Sequence, residues 1–285
     1  MTTYSLKPFE DKGYLSEEEA LKQIEGIPIP GDKPGNAKPI NVQPPALAPA
    51  NANLESRIIQ LDSLSADNGS KKTQDQWIVY WNGLADGRIF ASMPDLYQAF
   101  KQLKEKLENG SKAEKSLAEK VVASLRDDFE WPVKNNWLVS STRIKYQPDK
   151  EDGEILHHYN CNDKSLIQQY SLLVPEYLRV SIADVLNNKK GLTYLQALFG
   201  TKDNKDSIIQ NLEFISQKPR SEIKIWTPPI REGTGYKTRK DLSERATGLN
   251  YDDGEFLVNG YGYLLNDCRS RGVRIGAAGA SQKNR

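Results

Sequence analysis

Two stretches near the middle of the chain carry apolar residues at the three- and four-residue spacing of amphipathic helices. Between Met93 and Glu108 the apolar stripe consists of Leu96, Phe100, Leu103 and Leu107. Asn109-Gly110 is a stop signal, and Ser111 with Glu114 has the spacing of a capping box that opens a second helix toward Phe129. The pattern predicts two helices that pack as an antiparallel pair.

Other segments alternate apolar and polar residues or are rich in β-branched and aromatic residues, which predicts strands. The predicted strands are Trp137–Tyr146, Glu154–Tyr159, Ser171–Leu178, Glu222–Trp226, Glu255–Leu265 and Gly272–Ile275, with a hairpin formed by Trp77–Trp81 and Arg88–Ser92 around the turn Asn82–Gly87. Short helices are predicted at Ser181–Asn187, Thr193–Phe199 and Asp203–Ser216. The expected class is α+β, with short antiparallel strands, flanking helices and many irregular loops.

The N-terminal quarter has a different pattern. Ser16–Gly26 reads as a short capped helix. The segment Ile27–Ala50 then holds seven of the fifteen prolines, which predicts extended chain rather than helix or inner strand. We therefore expect an N-terminal helix and Pro-rich arm over residues 1–70 and one folded domain over residues 71–285.

Length and charge exclude several classes of protein. The chain has 285 residues and a net charge of +1, with basic and acidic residues interspersed, so nothing predicts nucleic-acid binding. No window is long and apolar enough for a transmembrane helix, and the first residues do not read as a signal peptide. Membrane insertion is not expected, and the location in the cell stays open.

The composition changes sharply near the C-terminus. Arg245–Ser281 is crowded with Asn, Asp, Tyr, Gly and Ser, yet it holds one Glu (Glu255) and no Lys, Gln, Met or Trp. These five types make up about a quarter of the whole chain, and no codon ending in a pyrimidine encodes them. Tyr with small polar residues is typical of contact surfaces. The alternative is an ordinary buried sheet, which would also exclude Lys and Glu.

Candidate catalytic and metal sites are weak. His157-His158 with Cys161 could suggest a metal, but adjacent residues of a strand point to opposite faces. The segment Gly233–Thr238 lacks the spacing of a phosphate loop and reads as a mobile loop. With only two histidines, side by side, a catalytic triad has little to draw on. We expect no cofactor, no metal and no catalytic residue, and Cys161 and Cys268 could form one bridge or none.

The C-terminal Ser270–Arg274 (SRGVR), following the Asn/Tyr/Asp/Gly-rich run, resembles the closing strand of C-type-lectin-fold domains. With Trp137–Ile144, His157-His158-Tyr159 and Glu244-Arg245-Ala246, it resembles more narrowly the variable proteins of diversity-generating retroelements of archaeal type. The resemblance covers roughly Trp131 to the C-terminus.

In that family an error-prone reverse transcription step rewrites adenines of a template that is copied into the C-terminal coding region. Codons of the AAY type then yield fifteen amino acids, which exclude Lys, Glu, Gln, Met and Trp. The resemblance implies a C-type-lectin-like domain that binds an unknown ligand, such as a protein or a cell-surface component, through a variable region at about 248–272. The implied variable, ligand-binding residues are Asn250, Tyr251, Asp252, Asp253, Asn259, Tyr261, Tyr263, Leu264, Asn266, Asp267 and Cys268. The implied fixed scaffold residues are Glu255, Phe256, Leu257, Val258, Arg271, Val273 and Arg274.

Two alternatives on the same fold stay open. A formylglycine-generating type of enzyme would need a reactive Cys268, although that family uses a nearby cysteine pair that is missing here. A structural or assembly protein would use the helix pair and the Pro-rich arm. Calcium and sugar binding are not expected, because Gln147-Pro148-Asp149 is not followed by the Trp-Asn-Asp sequence that completes such sites. The main hypothesis requires the eleven residues to form one solvent-facing patch.

Overall fold

The structure, a computed structural model, describes residues 58–130, 136–262, 264 and 266–276. The predicted helix Ser16–Gly26 and the Pro-rich segment Ile27–Ala50 lie outside the described residues. The predicted boundary at residue 70 is too late, because Ile58–Leu61 pairs along its length with Val273–Gly276. The folded domain therefore includes residues before position 70.

The described residues form helices and strands in mixed order, which confirms the α+β class. The helices are α1 (Gln74–Asn82), α2 (Met93–Asn109), α3 (Lys112–Phe129), α4 (Ile182–Leu186), α5 (Lys189–Phe199) and α6 (Lys205–Ser216). The strands are β1 (Ile58–Leu61), β2 (Ile89–Phe90), β3 (Leu138–Tyr146), β4 (Asp152–His157), β5 (Gln168–Leu173), β6 (Leu178–Ser181), β7 (Ile223–Trp226), β8 (Glu244–Asp252), β9 (Glu255–Gly262) and β10 (Gly272–Gly276).

The predicted helix pair is confirmed. Ser92 and Ser111 each cap a helix by accepting a hydrogen bond from the backbone N–H three residues later, and the side chain of that residue accepts from the capping N–H in return. Gly110 separates α2 from α3, and its N–H donates to Lys106 O at 2.9 Å. The buried stripes of both helices enter one hydrophobic core.

The predicted hairpin at residues 77–92 is wrong, because its first strand is helix α1. Thr73 and Gln76 form a capping box, and Trp77 and Trp81 lie one turn apart on the same helix face. Both indoles are buried, and their Nε1 groups donate to Cys268 O at 2.7 Å and Ser270 Oγ at 3.0 Å. Burial of two large side chains outweighs the β-propensity of this segment.

The strand predictions hold in most places. β3, β4, β7, β9 and β10 lie where they were predicted. The predicted strand Ser171–Leu178 is wrong: β5 ends at Leu173 and β6 begins at Leu178, with Pro175 between them. β8 was not predicted, because Gly248 and Asn250 are poor candidates for an inner strand.

The described strands form two sheets. One has the order β1-β10-β2, and the larger has the order β5-β4-β3-β8-β9-β7-β6. All pairs are antiparallel except β7 with β9, so the expectation of antiparallel strands is wrong for that pair. We call inner face the side of the larger sheet that packs against α2–α6, and outer face the opposite side, where α1 packs near Trp137 and Ala246.

Candidate functional site

The strands β7, β9 and β8 place several polar and aromatic side chains on the outer face. Residues opposite each other in neighbouring strands share a face, and faces alternate along a strand. Lys224 pairs with Leu257, which pairs with Asn250, and Trp226 pairs with Asn259. The alternate residues Ile225, Val258 and Leu249 lie on the inner face within the core.

Trp226 lies at the centre of an aromatic cluster on this face. Its ring stacks on that of Tyr261, with centroids 5.2 Å apart and planes at 3°. Tyr236 contacts both rings edge-on, at 5.6 Å from Trp226 and 6.2 Å from Tyr261. The loop that carries Tyr236 turns at Gly233 and Gly235, both with positive φ. Tyr261 is consequently covered and only 5% exposed.

Arg179 reaches across the outer face from β6 to the β8–β9 turn. It lies at a bulge in β6 and has a φ of 56°, a backbone conformation that residues other than glycine rarely adopt. Its guanidinium donates to Asp252 Oδ2 at 3.0 Å and to Glu255 Oε2 at 2.9 Å. Lys224 Nζ lies 3.4 Å from the other oxygen of Glu255. These ion pairs offset the backbone strain at Arg179.

Partial burial raises the pKa of the Asp252 carboxyl, and the guanidinium of Arg179 opposes this rise. The nearby Asp253 projects from the turn with its side chain 82% exposed, and its carboxylate is 4.0 Å from Arg179. The turn therefore presents one solvated carboxylate beside a partly desolvated one.

Two polar atoms on the outer face have no hydrogen-bond partner although they are buried. They are the Nε1 donor of Trp226 and the Oδ1 acceptor of Asn250. Asn250 is 5% exposed, and its Nδ2 makes only a long contact of 3.5 Å with Tyr251 O. The half-buried Asn259 lies on the strand between them, and its Oδ1 accepts from Tyr261 N at 2.7 Å. Buried unpaired polar groups are uncommon in folded proteins, and the described core holds others, such as Tyr194 Oη.

The eleven residues predicted to bind ligand do not form one exposed patch, so this prediction requires correction. Asn250, Tyr261 and Cys268 are buried. Tyr251 lies on the inner face, packs against Phe129 and Phe256, and donates its hydroxyl to Ser216 O at 2.6 Å. Asn250, Tyr251 and Tyr261 fill the fold because β8 and β9 are central strands with neighbours on both sides. Cys268 lies beyond β9, in the buried cluster with Trp77 and Trp81.

The remaining members lie apart from each other. Asp252 is half-buried and Asp253 exposed at the β8–β9 turn. Asn259 lies further along β9, between the turn and Tyr261. From the rise per residue of a strand, Tyr261 is about 20 Å from the turn. Leu264 is half-buried, Asn266 and Asp267 are exposed in the connection to β10, and Tyr263 lies outside the described residues.

The residues implied as fixed scaffold fit that role more closely. Phe256, Leu257, Val258, Arg271 and Val273 are fully buried or nearly so, whereas Arg274 is exposed. Arg271 donates from Nε to Asp128 Oδ2 at 2.6 Å, an ion pair in which neither side chain is exposed. This pair fixes the start of β10 against the end of α3.

His157 and His158 are engaged with the protein itself. His157 lies between Thr142 Oγ1 and Ala197 O, each at 2.9 Å, and burial lowers its pKa to about 3. His158 Nε2 is 3.2 Å from Asp95 Oδ2. Over the described residues, no group of three or more His, Cys, Asp or Glu side chains is arranged to hold a metal ion.

Both cysteines are free thiols, so the bridge left open by the sequence is not formed. Cys268 is 1% exposed, and burial raises the pKa of its thiol well above the usual value. Its Sγ donates to Lys72 O at 3.1 Å. A formylglycine type of reaction would need a thiolate at this position, and this environment disfavours one.

Sequence reasoning missed the residues of the outer face that come from β6 and β7. The alternation in Glu222–Trp226 already separates Lys224 and Trp226 from Ile223 and Ile225. Pairing of that strand with β9 was the missing information, because it depends on a parallel contact between distant segments. Arg179 gave no signal, since its position depends on a bulge.

Comparison with known proteins gives no assignment: no family model, no curated protein and no solved structure matches this chain. Among the helices of the described residues, none has the length and apolar character needed to cross a bilayer.

Proposed function

We propose that this chain is a non-enzymatic ligand-binding protein whose contact surface is the outer face around Trp226, Asn259 and Asn250. The proposal includes a C-type-lectin-like scaffold and retroelement diversification of the C-terminal region. The ligand is a protein or a cell-surface component. The observation that carries the proposal is the pair of buried, unpaired polar atoms on this face.

An unpaired buried polar group costs about 1–3 kcal/mol. A bound ligand that supplies the missing partner would offset this cost. A ligand that offers an acceptor to Trp226 Nε1 and a donor to Asn250 Oδ1 would recover this energy. Asn259, half-buried on the strand between them, is the accessible contact.

Burial narrows the set of positions that diversification could vary. Exchange at Asn250, Tyr251, Tyr261 or Cys268 would disturb packing, and such changes cost stability. The described positions that remain suited to variation are Asp252, Asp253, Asn259, Leu264, Asn266 and Asp267. This version of the proposal replaces one continuous patch by two neighbourhoods, the outer face with its turn and the connection before β10.

Selection of a displayed random-peptide library on the full chain tests the binding site. Binders should lose about tenfold or more in affinity for Trp226→Phe, which keeps an aromatic ring but removes the Nε1 donor. Asn259→Lys, which places a long charged side chain at the accessible contact, should abolish binding. Ser116→Lys, at an exposed position of α3, is the matched control and should bind normally.

Selected peptides that bind both outer-face variants as well as the control would refute this site. Diversification has a separate test in the surrounding DNA. It requires a near-identical repeat of the region that encodes the tail, which differs at adenines and lies beside a reverse transcriptase gene. If the surrounding DNA has no such repeat, diversification is refuted, and what stays is a binding protein whose surface is fixed.

A further inference from the structure

The two edge strands of the larger sheet differ in how they are protected against pairing with another chain. β6 has four residues, and the bulge at Arg179 interrupts its register with β7. β5 has six residues in unbroken antiparallel register with β4, from Gln168 to Leu173. Natural edge strands usually carry a charge, a proline or a bulge that prevents association. β5 carries none of these.

The side chains of β5 alternate between the two faces of the sheet. Tyr170 and Leu172 pack against the hydrophobic core, which fixes the strand in place. Gln169, Ser171 and Leu173 are exposed, and Leu173 is 40% exposed although it is apolar. Within the described residues, no backbone hydrogen bond reaches β5 from the side opposite β4.

We propose that β5 pairs antiparallel with β5 of a second copy of this chain, which joins the two large sheets into one. A second copy fits because the strand is neutral, so identical strands bring no like charges together. With a two-fold axis at Ser171, Gln169 lies opposite Leu173 of the partner subunit and Tyr170 lies opposite Leu172 of the partner subunit. Each pair shares a face of the sheet, as antiparallel pairing requires.

One strand pair buries less than the roughly 1,200 Å² of a stable interface, so the dimer is expected to be reversible and dependent on concentration. A two-fold axis perpendicular to the sheet leaves both outer faces on the same side. If the proposed function holds, the two copies of Asn259 would lie nine strand spacings apart along the joined sheet, about 40 Å.

Sedimentation of the full chain over a wide concentration range tests the dimer. Ser171→Lys and Ser171→Glu each place like charges opposite each other at the axis and should weaken association about tenfold or more. An equimolar mixture of the two variants should recover it. Ser116→Lys is the control and should dimerise like the wild type.

A wild-type chain that is monomeric at every concentration, or Ser171 variants that dimerise as well as the wild type, would overturn the proposal. If a Ser171 variant does not fold, hydrogen exchange in the wild-type chain decides, since the β5 amides that point away from β4 should be protected only at high concentration. Ser171 is remote from Asn259 in the strand order. A monomeric Ser171 variant that still binds selected peptides would therefore separate this proposal from the proposed function.

Discussion

Replacing Tyr261 by serine is expected to destabilise the fold, although the sequence places this residue among the variable surface positions. Its ring is 5% exposed and stacks on Trp226. Removal of a buried aromatic side chain costs about 3–5 kcal/mol through lost burial and the cavity that remains. Since one face of the ring lies near the surface loop, we expect about 3 kcal/mol, at the lower end.

The hydroxyl contributes a smaller share. Tyr261 Oη accepts a hydrogen bond from Lys237 N at 3.1 Å. Tyr261→Phe keeps the stacked ring and removes this acceptor, which should cost about 1 kcal/mol. For a domain of this size 1 kcal/mol lowers Tm by about 2–4 °C, so serine should lower it by about 6–12 °C and phenylalanine by about 2–4 °C.

Thermal and urea unfolding of the wild type, both Tyr261 variants and Asp267→Ser provides the assay. Asp267 is exposed and should tolerate serine within about 0.5 kcal/mol. The order of stability should be wild type and Asp267→Ser, then Tyr261→Phe, then Tyr261→Ser. If Tyr261→Ser unfolds together with Asp267→Ser, the ring is not packed, and the single-patch interpretation regains its basis.

Two further predictions concern the buried titratable groups. The folded pKa of His157 is about 3, below the usual 6.5, so its contribution to stability is complete above pH 6.5 and decreases by about 1.4 kcal/mol per pH unit as the pH falls toward 3. In urea unfolding, His157→Gln should therefore lose about 2 kcal/mol less stability between pH 6.5 and pH 5 than the wild type does. Equal losses in the two proteins would contradict this prediction. Iodoacetamide should label only Cys161 in the native protein, because Cys161 is partly exposed and Cys268 is buried, and it should label Cys268 only after unfolding. Cys161→Ser is the control. Rapid labelling of both cysteines in the native protein would restore the enzymatic alternative.

The elements that sequence predicted well are those whose signals are local. The start of α3 follows from the capping box at Ser111, and the buried stripes of α2 and α3 follow from helical spacing. Helix α1 carries a comparable capping box at Thr73 and Gln76. The prediction failed there because two tryptophans and β-branched neighbours favour a strand, whereas the interior that receives the indoles is formed by residues far along the chain.

The central strand β8 was missed for a related reason. Strand prediction relies on apolar residues, but β8 lies beside a buried polar network. Thr247 Oγ1 donates to Thr142 O at 3.1 Å, and Ser140 lies 2.7 Å from the Thr247 hydroxyl. Gln74 Nε2 completes the network with bonds to Ser140 O and Thr142 O. Polar residues satisfied by each other can occupy an inner strand, and a single sequence does not show which ones will meet.

Packing offers a second explanation for the unusual composition of the tail, one that does not require codon bias. β8 and β9 lie at the centre of the larger sheet and are covered on both faces over most of their length. Long charged side chains are rarely tolerated in such strands, so Lys, Glu and Gln would be absent for packing reasons. The exceptions are Glu244 and Glu255, which lie at the first positions of β8 and β9. Arg179 and Lys224 pair with Glu255.

The two explanations differ at the exposed positions. Burial accounts for Tyr261 and Cys268, but it places no constraint on Asp253, Asn266 or Asp267, where Lys and Glu would be expected as often as elsewhere on the surface. Diversification would exclude those residues at exposed positions as well. Substituting lysine at Asp267 and at Asn266 should therefore leave the free energy of unfolding unchanged to within about 0.5 kcal/mol. A tolerant outcome would mean that packing does not explain the missing lysines there, whereas a large loss of stability would extend the packing explanation to the whole tail.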